Sequence, residues 1–280
     1  MNYDEALEWM YSQIPMYQRQ GKAAYKADLS VTERMDAHMG HPHRSFKTIH
    51  VGGTNGKGSV SHMLAAILQA AGYKTGLYTS PHLKDFRERI RVNGQMVEKD
   101  FVTGFLEQYQ AFFESLKPSF FEMTVGMAFE YFKTARVDVA VIEVGLGGRL
   151  DSTNVIDPDL SLITNISLDH TQFLGDTVAG IAREKAGIIK KGRPVVIGEY
   201  DPATEGIFKE KAEEVDAPIC FADRDYQVSL VQAGAGSSCF DVTRGRDLVF
   251  KGICTDLLGG YQSRNILSAL RAVEIGRAHV

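Results

Sequence analysis

One tryptophan, three cysteines and eight prolines in 280 residues leave little room for several familiar protein types. The cysteines, Cys220, Cys239 and Cys254, are odd in number and far apart, so neither a disulfide framework nor a zinc knuckle is suggested. A reduced, cytoplasmic setting is therefore expected. No apolar run approaches the ~20 residues that cross a bilayer; the longest are strand-sized, such as VDVAVIEVG. The amino-terminal stretch MNYDEALEWMYSQIP carries acidic residues and lacks the basic flank and apolar core of a secretory signal. Excess positive charge is missing too: 31 Lys and Arg against 35 Asp and Glu give a formal net charge of −4. Such a chain has no general attraction to nucleic acid or to an anionic membrane, so neither partner is expected, and a monomer is. Any anionic ligand must be held by a local site.

What is present is an alternation of short β-rich runs with longer segments of helical period, the pattern of an α/β fold whose mostly parallel sheet is flanked by helices. Strands are expected at about 46–51, 75–79, 137–144, 160–166 and 194–198. Helices are expected at about 58–71, 100–115, 122–134 and 177–190, with Thr177 as N-cap and Gly192 as the stop of the last. From about 225 to 258 turn residues at GAGSS and RGRD punctuate shorter runs, which predicts a small antiparallel β subdomain, followed by the helix SRNILSALRAVEI. The chain then ends without a closing strand, and a further domain is expected beyond it. There is no internal repeat.

The stretch HVGGTNGKGSV, residues 50–60, follows an apolar strand and opens an amphipathic helix, the context of a phosphate-binding loop. Its register is unusual: Val51 stands where the common GxxxxGK[ST] pattern has glycine, and Gly58 separates Lys57 from the hydroxyl of Ser59. Lys57 would reach terminal phosphates and Ser59 could bind Mg²⁺. Glu143 closes the apolar run VDVAVI at the carboxyl edge of a strand, where open α/β sheets bind ligands and a carboxylate can hold Mg²⁺. His170 and Ser80 lie just past other strands, at the same edge if the sheet is parallel; alone, each reads more readily as structural. Lys185 by itself is a lysine on a helix surface, and an ammonium cannot ligate a metal.

Taken together, GTNGKGS, YTSPHL, FEMT, EVGLGGRLDSTNV, LDHTQFLGDT, REKAGIIKKG and YQSRN resemble, in order and spacing, the folylpolyglutamate synthase and dihydrofolate synthase family of the Mur ligase superfamily. The resemblance implies a P-loop NTPase-like fold of the Mur ligase central-domain type over residues 1–280, with a carboxyl-terminal glutamate-ligase domain lying outside this chain. It implies an ATP-dependent amide ligase in which ATP converts a folate or dihydropteroate carboxylate to an acyl phosphate that the amine of L-glutamate attacks. Residue by residue, Gly53, Thr54, Asn55, Gly56, Lys57, Gly58 and Ser59 become the ATP loop, and Asn265 a contact to the base. Ser59, Ser80 and Glu143 would hold a first Mg²⁺, and Glu143, His170 and Lys185 a second, with Lys185 carbamylated into an oxygen ligand. Lys57, Glu143, His170 and Lys185 would be the catalytic set. Ser119, Phe120, Phe121, Glu122, Leu150, Asp151 and Ser152 would line the pteroate site, together with the stretch around Asp28 and Leu29. Turnover by the 280 residues alone is expected to be weak or absent. The alternatives are another Mur-type ligase acting on a cell-wall nucleotide precursor, against which FEMT and GGRLDSTN argue, and a nucleotide-binding module without transfer chemistry.

Overall fold

Uninterrupted valine and isoleucine runs produce strands buried on both faces, and such strands form the centre of the sheet. In the computed structural model, which describes residues 1–12, 28–168, 176–234 and 236–277, β5 (Val139–Glu143) is buried at every position. It lies parallel to β1 (Lys47–Gly52), with Ile49 opposite Val141 and Val51 opposite Glu143. Outward from this pair run β2 (Thr75–Tyr78) on one side and β6 (Leu160–Ile163), β7 (Val195–Ile197) and β8 (Ile219–Phe221) on the other, all parallel. The antiparallel β3 (Ile90–Val92) and β4 (Gln95–Met96) complete the order β4-β3-β2-β5-β1-β6-β7-β8.

Helices cover both faces. On one, α1 (Tyr3–Ser12) and α2 (Ser30–His38) contribute Met10 and Met35 to a core that mixes aliphatic and aromatic side chains. Its rings, among them Tyr78, Phe113, Phe129 and Phe132, are enclosed by α4 (Lys99–Leu116) and α5 (Phe120–Ala135). Each such ring, sealed from water, contributes roughly 1.5–3 kcal/mol. On the other face, α3 (Lys57–Ala70) packs with α8 (Gln262–Arg277) over Val51, Leu77, Val141 and Leu162. Two shorter helices, α6 (Val178–Ala186) and α7 (Pro202–Glu214), cover β7 through Ile188, Val195 and Phe208. Among the described residues no helix is long and apolar enough to cross a membrane.

The α/β architecture and the small antiparallel sheet appear as expected. The latter comprises β9 (Gln227–Ala233), β10 (Ser238–Arg244) and β11 (Asp247–Thr255), in the order β11-β10-β9. Three expectations need correction. Cys239 and Cys254 form a disulfide, because the β10–β11 hairpin sets them directly opposite each other although 15 residues separate them in sequence. The strand expected at 160–166 stops at Ile163, because Thr164 to Ser167 turn aside to hold the glycine loop. The helix expected at 177–190 keeps its cap, Thr177 Oγ1 accepting from Gly180 N–H at 3.1 Å, but ends at Ala186. Beyond it, the carbonyls of Gly187 and Ile188 accept from Asn154 Nδ2 and Ser161 Oγ instead of from another helical turn.

Candidate functional site

The crossover at β1, whose neighbours β5 and β6 connect in opposite directions, creates a crevice at the carboxyl edge of the sheet. Into it the chain turns through Gly53–Gly56 and opens α3 at Lys57. Gly53 and Gly56 have φ of 130° and 82°, a region that side chains disfavour. Space is equally restrictive: a Cβ on Gly53 would collide with Thr164 Oγ1 and lie 2.9 Å from Thr164 N, and one on Gly56 would collide with Asn265 Oδ1. The segment after β6 pins the loop. Thr54 N–H donates to Asn165 O at 2.8 Å, Asn55 N–H to Asn165 Oδ1 at 3.0 Å, and Thr164 Oγ1 to Asn55 O at 2.6 Å. Sequence reading missed Thr164 and Asn165 because TNI was absorbed into the preceding strand, and gave Ser167 no role.

Both lysines of the expected set meet at the root of this loop. Lys57 Nζ donates to Gly53 O at 3.0 Å and Thr54 O at 2.9 Å, while Lys185 Nζ donates to the same Gly53 O at 2.7 Å. Lys185 is 3% exposed, so the plain surface-lysine reading of it fails: α6 turns it into the crevice. Two ammonium groups and the amino end of α3 concentrate positive charge where a polyphosphate would lie.

Glu143, the last residue of β5, is 4% exposed and faces the start of α3. Its Oε2 accepts from Ser80 N–H at 2.9 Å. Oε1 accepts no hydrogen bond from the described residues and would lie 3.6 Å from a Cβ on Gly58. Burial pushes the carboxyl up to about 7, against the pull of the Ser80 amide and the Lys57 charge. A desolvated carboxylate with a spare oxygen beside a phosphate loop suits a divalent cation, which would relieve the burial cost. Among the described residues there is no group of three or more His, Cys, Asp or Glu able to hold a metal. The donors present, the Glu143 carboxylate with hydroxyls nearby, fit Mg²⁺, which takes one or two carboxylates and completes its shell with hydroxyl, water and phosphate oxygens. Ser59 stands in the first turn of α3, its Oγ accepting from Gln262 Nε2 at 3.4 Å. His170 lies outside the described residues. Asn265 is buried against Gly56 and donates to Gln262 Oε1 at 2.8 Å; Gln262, given no role in the sequence reading, thus links Asn265 to Ser59.

The residues expected at the pteroate site fall into two groups. Ser119 and Glu122 are engaged in the capping box of α5: Glu122 N–H donates to Ser119 Oγ at 3.2 Å, and Ser119 N–H to Glu122 Oε2 at 2.5 Å. Thr32 Oγ1 donates to the other Glu122 oxygen at 3.3 Å. Ser119→Ala should lower the unfolding free energy by about 0.5–2 kcal/mol, read from urea denaturation as a shifted midpoint with unchanged slope. Asp151 is likewise occupied, accepting from Leu146 N–H and from the amide and hydroxyl of Thr153, which shapes the 145–155 loop over half-buried Leu150 and buried Ser152. Phe120 and Phe121 differ: they are partly exposed, and their rings line the same edge beside Arg89 and Tyr78. Asp28 Oδ1 accepts from Ser30 N–H at 2.9 Å, and Leu29 sits at the start of α2.

Residues 51–273 match the Mur ligase middle domain. The chain is 34% identical over 279 residues to the dihydrofolate synthase/folylpolyglutamate synthase of Bacillus subtilis, covering 97% of this chain and 63% of that one. It is 34% identical to the folylpolyglutamate synthase of Lacticaseibacillus casei, covering 98% and 64%. Among solved structures, the folylpolyglutamate synthase of Thermotoga maritima superposes with a TM-score of 0.86 at 36% identity, over 97% of this chain and 61% of that one. A complex of a folylpolyglutamate synthase with AMPPCP and folate gives a TM-score of 0.88 at 34% identity, over 98% and 67%. The chain thus spans just under two thirds of the length of the Bacillus and Lacticaseibacillus relatives. With the glycine loop, Glu143 and the two inward lysines at the sheet edge where this fold binds its ligands, the chain belongs to the Mur ligase family, among the folylpolyglutamate and dihydrofolate synthases.

Proposed function

We propose that this chain is the ATP-binding part of an amide ligase that joins L-glutamate to a folate or dihydropteroate carboxylate through an acyl phosphate. The observation that carries the reading is the pairing of the pinned Gly53–Ser59 loop with the half-satisfied carboxyl of Glu143 across Gly58. Backbone amides of the loop and the amino end of α3 bind and orient the phosphates, and Lys57 turns from Gly53 O and Thr54 O towards them. Glu143 and the hydroxyls of Ser59 and Ser80 would hold Mg²⁺, which offsets charge shared between ATP and the acceptor carboxylate. Lys185 and His170 would serve a second cation, with Lys185 carrying a carbamate in place of its ammonium. Asn265, fixed by Gln262, contacts the base. Phe120 and Phe121 give the acceptor an apolar wall and exclude water from the carboxylate.

Binding by this chain tests the reading. Calorimetry should show that it takes up AMPPCP with Mg²⁺ and that dihydropteroate or tetrahydrofolate binds beside it. Comparing those two acceptors reports which glutamate the ligase adds. Uptake of a cell-wall nucleotide precursor in place of both pterins would replace the folate reading with the other Mur-type one.

A further inference from the structure

Arg89 is the only buried arginine among the described residues, at 8% exposure, and no described carboxylate pairs with it. Six arginines show the reverse arrangement: Arg87, Arg149, Arg193, Arg244, Arg264 and Arg271 are more exposed, and each pairs with Asp or Glu. Arg89 Nε donates to His82 Nδ1 at 2.8 Å, and its guanidinium carbon stands 5.3 Å from the centre of the Phe120 ring. Nη1 and Nη2 donate to no described residue. A guanidinium cannot escape the cost of burial by losing its proton, so an unpaired buried one is a standing cost unless an anion arrives. His82 supplies none: it is a neutral acceptor, its basicity lowered by burial and by the Arg89 charge itself.

A second orphan lies at the same place. Tyr78 is fully buried, and its hydroxyl proton has no acceptor, since the Arg89 guanidinium that bears on it is a donor only. Both groups are at the carboxyl edge of the sheet. Tyr78 ends β2, and Thr79 N–H donates to Arg89 O at 3.0 Å. Phe121 packs on Tyr78 with ring centres 6.2 Å apart, and the Arg89 charge also reaches Glu143. Two unmet donors therefore sit between the aromatic wall and the metal-side carboxylate.

We propose that Arg89, with the Tyr78 hydroxyl beside it, holds the carboxylate of the acceptor and turns it towards the phosphate loop. This deepens, and rests on, the folate reading above. The planar fork of a guanidinium matches a carboxylate in a two-point contact that an amide cannot reproduce.

The test compares pteroate with its carboxamide, by calorimetry on the 280-residue chain with AMPPCP and Mg²⁺ present. Wild type should bind the acid about 10- to 100-fold tighter than the amide, the range of a charged hydrogen-bond pair. Arg89→Met should bind both equally, with the affinity for the amide and for AMPPCP held. An acid preference that survives in Arg89→Met overturns the assignment and leaves the folate reading standing. Failure of wild type to bind either pterin overturns the folate reading and this inference with it. Should Arg89→Met not fold, the Nε–H resonance of Arg89 in the wild-type chain decides: a shift with pteroate and none with the carboxamide supports the contact, and equal responses exclude it.

Discussion

Gly53→Ala is expected to abolish measurable ATP binding while leaving the chain folded. The residue sits at φ 130°, where a side chain is strained by about 1–3 kcal/mol. Its new methyl group would also meet Thr164 Oγ1 and approach Thr164 N to 2.9 Å. The loop must then move away from the segment that pins it, and the Gly53 carbonyl moves with it. Lys57 and Lys185 both donate to that carbonyl, so one displacement disturbs the loop amides and both cations together. Displacing the loop amides removes two or more charge-assisted hydrogen bonds to the phosphates, which weakens nucleotide binding by about 100-fold or more. Adding Thr164→Ala should not restore binding, because the backbone amide at 2.9 Å remains and the Thr164 bond to Asn55 O is lost. Titration with a fluorescent ATP analogue, alongside a thermal melt, checks this; unchanged affinity in folded Gly53→Ala would show that loop shape does not hold the phosphates.

Glu143→Gln should separate stability from cation binding. Because burial raises the Glu143 carboxyl to about 7 from an ordinary 4.5, the folded chain keeps a proton that the unfolded chain releases. Stability is then fully present below about pH 4.5 and falls as pH rises towards 7, by about 1.4 kcal/mol per unit and roughly 3 kcal/mol in all. Glutamine carries no such charge, so the variant should be the more stable protein at pH 8 without metal, and its stability should be flatter between pH 5 and 7 than that of wild type. The same change removes the anionic oxygen beside Gly58. Wild type should bind ATP at least about tenfold tighter with Mg²⁺ than with EDTA, and the gain should grow as pH rises through 7; Glu143→Gln should lose both effects. Urea denaturation at several pH values reads the first part and calorimetry the second. Magnesium dependence retained by the variant would remove Glu143 from the metal site.

The polar partners of this site make clear why only part of it is legible in a chain of letters. HVGGTNGKGSV announces itself because glycines, a lysine and a hydroxyl must follow a strand in fixed order to present amides to phosphate. VDVAVIE is equally readable, since a carboxylate at the end of a buried apolar strand is costly unless a cation or a donor faces it. Arg89 and Thr164 give no such sign, and Tyr78 and Gln262 stand inside YTSPHL and YQSRN without a role of their own: each is an ordinary residue until tertiary contacts bury it beside another chain segment. Ser119 and Glu122 show the converse. Their place beside the site is visible from the resemblance, and the structure adds that their polar atoms hold α5 in position.

By itself the sequence determined the α/β alternation, the phosphate loop, the carboxyl-edge position of Glu143 and the family, because these depend on local periodicity and on short motifs whose geometry is set within a few residues. Only the tertiary structure decided that Lys185 turns inward to the Gly53 carbonyl, that Cys239 meets Cys254, and that the buried Arg89 lacks a carboxylate among the described residues. Those outcomes depend on which distant segments the sheet order and hairpin register bring together, and on whether burial leaves a charge paired or alone.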